Sequence, residues 1–250
     1  MTTLRQAVDR MLAAQAASLK PLGVILAGHN GSGKSTMWRE HLSGKFQIPL
    51  VNADRMMLSI LPEPRRKRLP KWAAQIRDDD ESWMRVSQKG VEAFVANAMI
   101  NKVPFAMETV FSHWRELPEG RIESKITLIE QMQAAGYFVL LCFVGLENAA
   151  QSVARVETRV STGGHAVPLQ KLLDRFPRTQ RAIRMAASVA DATILADNSS
   201  DESTAFTVCR IQLGEEAVFD VRTPDLPPPP RAVSAWLDIV SPLRPLPTHS

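Results

Sequence analysis

An apolar run, Leu22-Gly23-Val24-Ile25-Leu26-Ala27, leads directly into Gly28-His29-Asn30-Gly31-Ser32-Gly33-Lys34-Ser35-Thr36, which fills every fixed position of the pattern G-x-x-x-x-G-K-[ST]. This feature constrains the fold more than any other. A strand, a tight glycine-rich turn and a helix must follow in that order if backbone N–H groups are to wrap a phosphate. Side chains at Gly28, Gly31 or Gly33 would obstruct the turn. The expected ligand is a nucleoside triphosphate. His29, Asn30 and Ser32 complete the loop, Lys34 carries its ammonium to the β- and γ-phosphates, and Ser35 offers a hydroxyl to Mg²⁺. The helix through Thr36 points its positive end at the phosphates.

The rest of the chain alternates in the same manner. Thr3 to Leu19 has helical periodicity, with Leu4, Val8, Met11 and Leu12 on one face. Ile48 to Asn52 reads as a second strand, Arg85 to Lys102 as a helix, Val103 to Met107 as a buried strand and Ile122 to Ala135 as a helix closed by Gly136. Tyr137 to Val144 and Ala192 to Ala196 are continuously apolar, as expected of central parallel strands covered on both faces. The fold class implied is α/β, a phosphate-loop, doubly wound parallel sheet of about five strands. Residues 1–200 are expected to form this domain. Residues 201–250 are expected to form a small C-terminal extension, with a hairpin around Gly214 and a proline-rich stretch from Pro227 to Pro230.

In such a sheet ligands sit beyond the carboxyl ends of the strands, where Asp54, Glu108 and Asp197 all fall. A hydroxyl that attacks the γ-phosphorus needs a carboxylate to take its proton, and Asp54 suits that role. It suits equally the N-cap of a helix starting near Arg55. Glu108 and Thr109 are candidates to contact the acceptor. Arg155, Arg159, Arg175, Arg178, Arg181 and Arg184 flank Gly163-Gly164-His165, a pattern expected of an arginine-rich helical lid with a glycine hinge. Arg155 and Arg159, four apart, share a helix face. The three-residue spacing of the later arginines lets two of them at most reach one site.

Composition excludes several alternatives. Two cysteines, Cys142 and Cys209, lie in apolar segments, so no disulfide framework or cysteine zinc site is expected. No apolar run approaches the roughly 20 residues that span a bilayer. The amphipathic N-terminus carries Asp9, unlike a secretory leader, and a cytoplasmic protein is expected. Net charge is +4, and the basic run Arg65-Arg66-Lys67-Arg68 is answered by Asp78-Asp79-Asp80-Glu81, which argues against a nucleic-acid groove.

These residues resemble the zeta toxin family of phosphate-loop kinases over about Pro21 to Ser199. The carriers are Ala27 to Thr36, Asn52-Ala53-Asp54, Glu108-Thr109-Val110-Phe111-Ser112, Arg159, Gly163-Gly164-His165, Val167-Pro168, Arg175 with Arg178, and Asp197-Asn198-Ser199. The resemblance implies transfer of the γ-phosphate of ATP to a hydroxyl of UDP-N-acetylglucosamine or a related nucleotide-linked metabolite, as a growth-inhibiting toxin. By position it implies Asp54 as general base, Lys34 and Ser35 on the triphosphate and Mg²⁺, Arg159 and Arg178 as γ-phosphate clamps, and Asn198 near the adenine. An antitoxin covering the ATP site is the partner expected. His29 stands where relatives often have proline, and the insert from Pro62 to Glu81 has no clear counterpart. Competing readings are a kinase of a dinucleotide or nucleic-acid end, and a nucleotide-gated binding protein without turnover.

Overall fold

Strands and helices alternate because apolar runs of strand length are separated by amphipathic stretches of period near 3.6. The computed structural model describes residues 2–63, 69–78, 81–120, 122–161, 167–201 and 204–243. The expected basic run at 65–68, the acidic Asp79 and Asp80, and the glycine hinge at 163–165 lie outside the described residues. Helix α1 (Leu4–Ser18) precedes β1 (Leu22–Gly28), and α2 (Lys34–Met37) continues through a π turn, Trp38–Leu42, into α3 (Ser43–Phe46). There follow β2 (Leu50–Val51), α4 (Ala53–Ile60), α5 (Lys71–Asp78), α6 (Glu81–Asn101) and β3 (Phe105–Thr109). A short hairpin, β4 (Trp114–Glu116) and β5 (Ile122–Ser124), leads to α7 (Ile126–Ala134), β6 (Phe138–Gly145), α8 (Ala149–Ser161) and α9 (Leu169–Val189). The chain then runs through β7 (Ala192–Asp197), β8 (Thr207–Leu213), β9 (Glu216–Asp220) and α10 (Arg231–Val240).

Among the described residues the main sheet has seven strands, in the order β2-β3-β1-β6-β7-β8-β9. From β2 to β7 neighbours run parallel, and β8 and β9 add antiparallel. The hairpin around Gly214 is therefore the continuation of the sheet, which raises its size beyond the five strands expected. Alternate side chains of the central strands enter opposite cores. Ile25, Leu141 and Phe143 meet α6, α7, α9 and α10, while Val24, Leu26 and Cys142 meet α1 and the α2–α3 segment. That alternation explains why β1 and β6 are apolar at every position.

The expected helix from Ile122 begins later. Ile122, Glu123 and Ser124 pair antiparallel with Glu116, Arg115 and Trp114, and the Ser124 hydroxyl accepts from Ile126 N at 3.2 Å. Pairing with a strand six to ten residues away outweighs local helical periodicity here. At the other end of the chain the segment after the prolines is a docked helix, α10, with Trp236 and Leu237 fully buried. Among the described residues no helix is long and apolar enough to cross a membrane.

Candidate active site

Five parallel strands carry their carboxyl ends to one edge, and a cleft of about 1330 Å³ opens there. One wall is the phosphate loop. Gly31 and Gly33 have φ of +71° and +90°, a region that penalises side chains, and a Cβ on Gly33 would lie 2.7 Å from Asn198 Nδ2. Lys34, 7% exposed, donates from Nζ to Gly28 O at 2.9 Å and His29 O at 2.8 Å. Burial lowers its pKa to about 8; Glu108 and Asp54 oppose the shift and Arg159 adds to it. The buried Ser32 hydroxyl and Asn30 side-chain oxygen have no protein partner. Orphaned polar atoms in a cradle too tight for Cβ atoms fit a bound polyphosphate.

Ser35 donates from Oγ to Glu108 Oε1 at 2.8 Å, so the sheet unites a hydroxyl and a carboxylate that are 73 positions apart. Both are hard oxygen donors of the kind that hold Mg²⁺ together with phosphates and water. Among the described residues no three His, Cys, Asp or Glu side chains cluster as a self-sufficient metal site.

Asp54 lines the same cleft. The N-cap of α4 is Asn52, whose Oδ1 accepts from Asp54 N at 2.7 Å and Arg55 N at 3.2 Å. Capping is thus done by a neighbour, and the Asp54 carboxylate acts electrostatically on Lys34 and Arg175.

Arg159, Arg175 and Arg178 reach the cleft. Arg178 is oriented by Asp174, through Nε to the backbone oxygen at 3.0 Å and a 3.8 Å ion pair. Arg181 and Arg184 are exposed elsewhere on α9, as their three-residue precession requires. Arg155 does not share the cleft with Arg159: its stem backs onto Gly31, and its guanidinium faces Ser200 O at 3.5 Å. Asn198 is placed against the loop, donating from Nδ2 to Ser32 O at 2.9 Å.

His29 contributes backbone rather than its ring. The imidazole is 2% exposed and stacks on Phe176 of α9 with centroids 3.8 Å apart, and burial lowers its pKa to about 3. It is a neutral aromatic plate between the loop and the arginine helix.

The far wall was not readable from the sequence in detail. Arg77 of α5, Met84, Gln88, Val91 and Glu92 of α6, and Lys125 ahead of α7 line it. Lys125 donates from Nζ to Thr109 Oγ1 at 2.6 Å, and its pKa is lowered by burial and by Arg175, with Glu92 opposing. Thr109 also accepts from Phe111 N at 3.1 Å, which leaves its hydroxyl proton to donate into the cleft. Helix α5 supports this wall by packing on α6.

The zeta toxin family matches residues 7–205. The chain belongs to that family. A solved chain of the PezAT chromosomal toxin–antitoxin system of Streptococcus pneumoniae superposes with TM-score 0.51 at 12% identity, over 96% of this chain and 88% of that one. The complex of AvrRxo1-ORF1 and -ORF2 with ATP gives TM-score 0.59 at 14% identity, over 96% and 73%; its form with sulphate ions gives 0.56 at 16%, over 96% and 71%. These likenesses establish a shared α/β architecture with this zeta toxin family member. No curated protein matches the sequence.

Proposed function

We propose that this zeta toxin family member is a kinase that transfers the γ-phosphate of ATP to an alcohol of a small, nucleotide-linked metabolite such as UDP-N-acetylglucosamine. One observation carries the reading: Asp54, relieved of capping by Asn52, lines the same cleft as Lys34. A carboxylate in this cleft that caps no helix supports a catalytic role, because phosphoryl transfer requires an acceptor for the hydroxyl proton. In the reaction the acceptor oxygen bonds to the γ-phosphorus, the bond to the bridging oxygen breaks, and the proton passes to Asp54. Lys34, Arg159 and Arg178 counter the charge on the transferring group. Ser35 and Glu108 would hold Mg²⁺, which supplies charge neutralisation on the phosphate oxygens.

The lining charges favour anionic ligands. Among the described residues, seven cations (Lys34, Arg77, Lys125, Arg159, Lys171, Arg175 and Arg178) and four carboxylates (Asp54, Glu92, Glu108 and Asp174) line the cleft. That excess suits two polyphosphate-bearing substrates in one cleft. The AvrRxo1 and PezAT structures are of two-component systems, and we extend this to an antitoxin that covers the ATP side of the cleft in the cytoplasm.

Incubation with Mg²⁺, γ-labelled ATP and a bacterial metabolite extract, followed by mass identification of the labelled product, tests the reading. A nucleotide-linked compound should gain one phosphate, and Lys34→Ala should not transfer. Label found only in inorganic phosphate, or equal transfer by Lys34→Ala, overturns it.

A further inference from the structure

The family match ends at residue 205, yet the chain continues through β8, β9 and α10, and a side chain of that last helix connects to the phosphate loop. Trp236 is fully buried, and its indole N–H donates to Asp197 Oδ1 at 2.7 Å. The ring occupies the space beside Gly145, where a Cβ would lie 2.5 Å from the indole. Asp197, 3% exposed, also accepts from the Ser199 hydroxyl at 2.7 Å and from Ser199 N at 2.9 Å. These bonds pin the turn that presents Asn198. Its backbone N donates to Gly145 O at 3.1 Å, and its side chain donates to Ser32 O inside the loop at 2.9 Å. A second series of contacts starts at the same residue. Trp236 meets Phe143 edge-on at 5.6 Å, Phe143 meets His29 at 5.7 Å, and His29 stacks on Phe176.

A buried carboxylate is tolerated when its lone pairs are used, and the indole supplies one of the three donors of Asp197. A loop with three glycines loses more freedom on ordering than other compositions do, so contacts that hold it in the unbound protein lower the entropic cost of binding. We propose that Trp236 is a positioning residue of the nucleotide site: through Asp197 it seats Asn198 against Ser32 and pre-organises the phosphate loop for ATP. The inference rests on reading Gly28 to Thr36 as the nucleotide cradle. It makes the segment beyond the family match a working part of that cradle, although none of its side chains needs to touch nucleotide.

The test is calorimetric ATP binding by the full chain. Trp236→Phe keeps a ring in place and removes the N–H; its dissociation constant for ATP is expected to rise about tenfold, the order of one lost charge-assisted hydrogen bond. Asn198→Ala removes the last link and is expected to act in the same direction. The double variant should be no weaker than the worse single, because both break one series of contacts. A folded Trp236→Phe that binds ATP like the wild type overturns the proposal, as do effects of the two substitutions that simply multiply. If Trp236→Phe does not fold, the indole N–H resonance of Trp236 in the wild-type protein is read instead during titration with ATP. A shift is expected, and an unmoved resonance overturns the proposal. Lys34→Ala is the separate control: undiminished ATP binding there overturns the cradle reading itself.

Discussion

The two walls of the cleft are built by opposite strategies. The phosphate wall is one continuous segment, Gly28 to Thr36, whose side chains matter less than its backbone N–H groups and the absence of Cβ atoms. The far wall, which we propose receives the acceptor, is assembled from α5, α6, the residue ahead of α7 and the turn after β3, and it presents side chains such as Lys125 and Glu92. Each wall nevertheless holds a lysine with a lowered pKa, Lys34 buried and Lys125 partly buried. Lys34 rests on carbonyl oxygens of its own loop, whereas Lys125 leans on Thr109, 16 residues away in sequence. A phosphate is the same in every triphosphate, so a local backbone turn can recognise it. The far wall is drawn from separate elements that can vary independently, as recognition of a particular acceptor would require.

Substitutions that separate the walls break or sharpen this contrast. Lys34→Ala should reduce γ-phosphate transfer to background, measured with labelled ATP. Asp54→Asn should lower kcat by about 10² to 10⁴-fold while ATP affinity changes little, since it removes the proton acceptor and not a phosphate contact. Equal rates in wild type and Asp54→Asn would remove Asp54 as base. Arg178→Gln should cost about 10²-fold in kcat, the order seen when one charge-stabilising donor is lost. Lys125→Met should raise KM for the acceptor by about tenfold with KM for ATP unaltered, the size of one charged hydrogen bond. A rise in KM for ATP instead would mean that the two walls are not separate sites.

The smallest effect is one of pH. Lys34 has a pKa of about 8 in the unliganded protein, below its ordinary value. The triphosphate favours the ammonium, so binding near pH 8 should take up a proton and affinity should fall as pH rises above about 8. Calorimetry in buffers of different ionisation enthalpy measures that uptake. The unliganded fold has the opposite sense: charging a buried lysine is disfavoured, so this residue's contribution to stability improves between about 8 and its ordinary pKa.

Much of the phosphate wall was legible because its chemistry is local. The glycines, Lys34 and Ser35 occupy fixed spacings, and the apolar runs before Asp54, Glu108 and Asp197 place them at strand ends that a parallel sheet brings to one edge. Other parts depend on partners distant in the chain. Asn52 and Asp54 are both suitable caps by composition, and the backbone at the helix start chose Asn52. Lys125 gave no signal, since the pairing of β4 with β5 sets where α7 begins and hence where that side chain emerges. Arg155 and Arg159 share a helix face, yet the loop packed beneath the first of them divides their duties.

The amino-acid sequence by itself determined the phosphate loop, the alternation that yields a parallel sheet and the edge on which chemistry can occur, because hydrophobic period and glycine spacing are properties of neighbouring residues. The tertiary structure alone decided the far wall of the cleft, the attachment of β8 and β9 to the sheet and the seat of Trp236 on Gly145. Those depend on which surfaces meet after the chain has folded, and packing of distant segments is a property of pairs that no local pattern encodes.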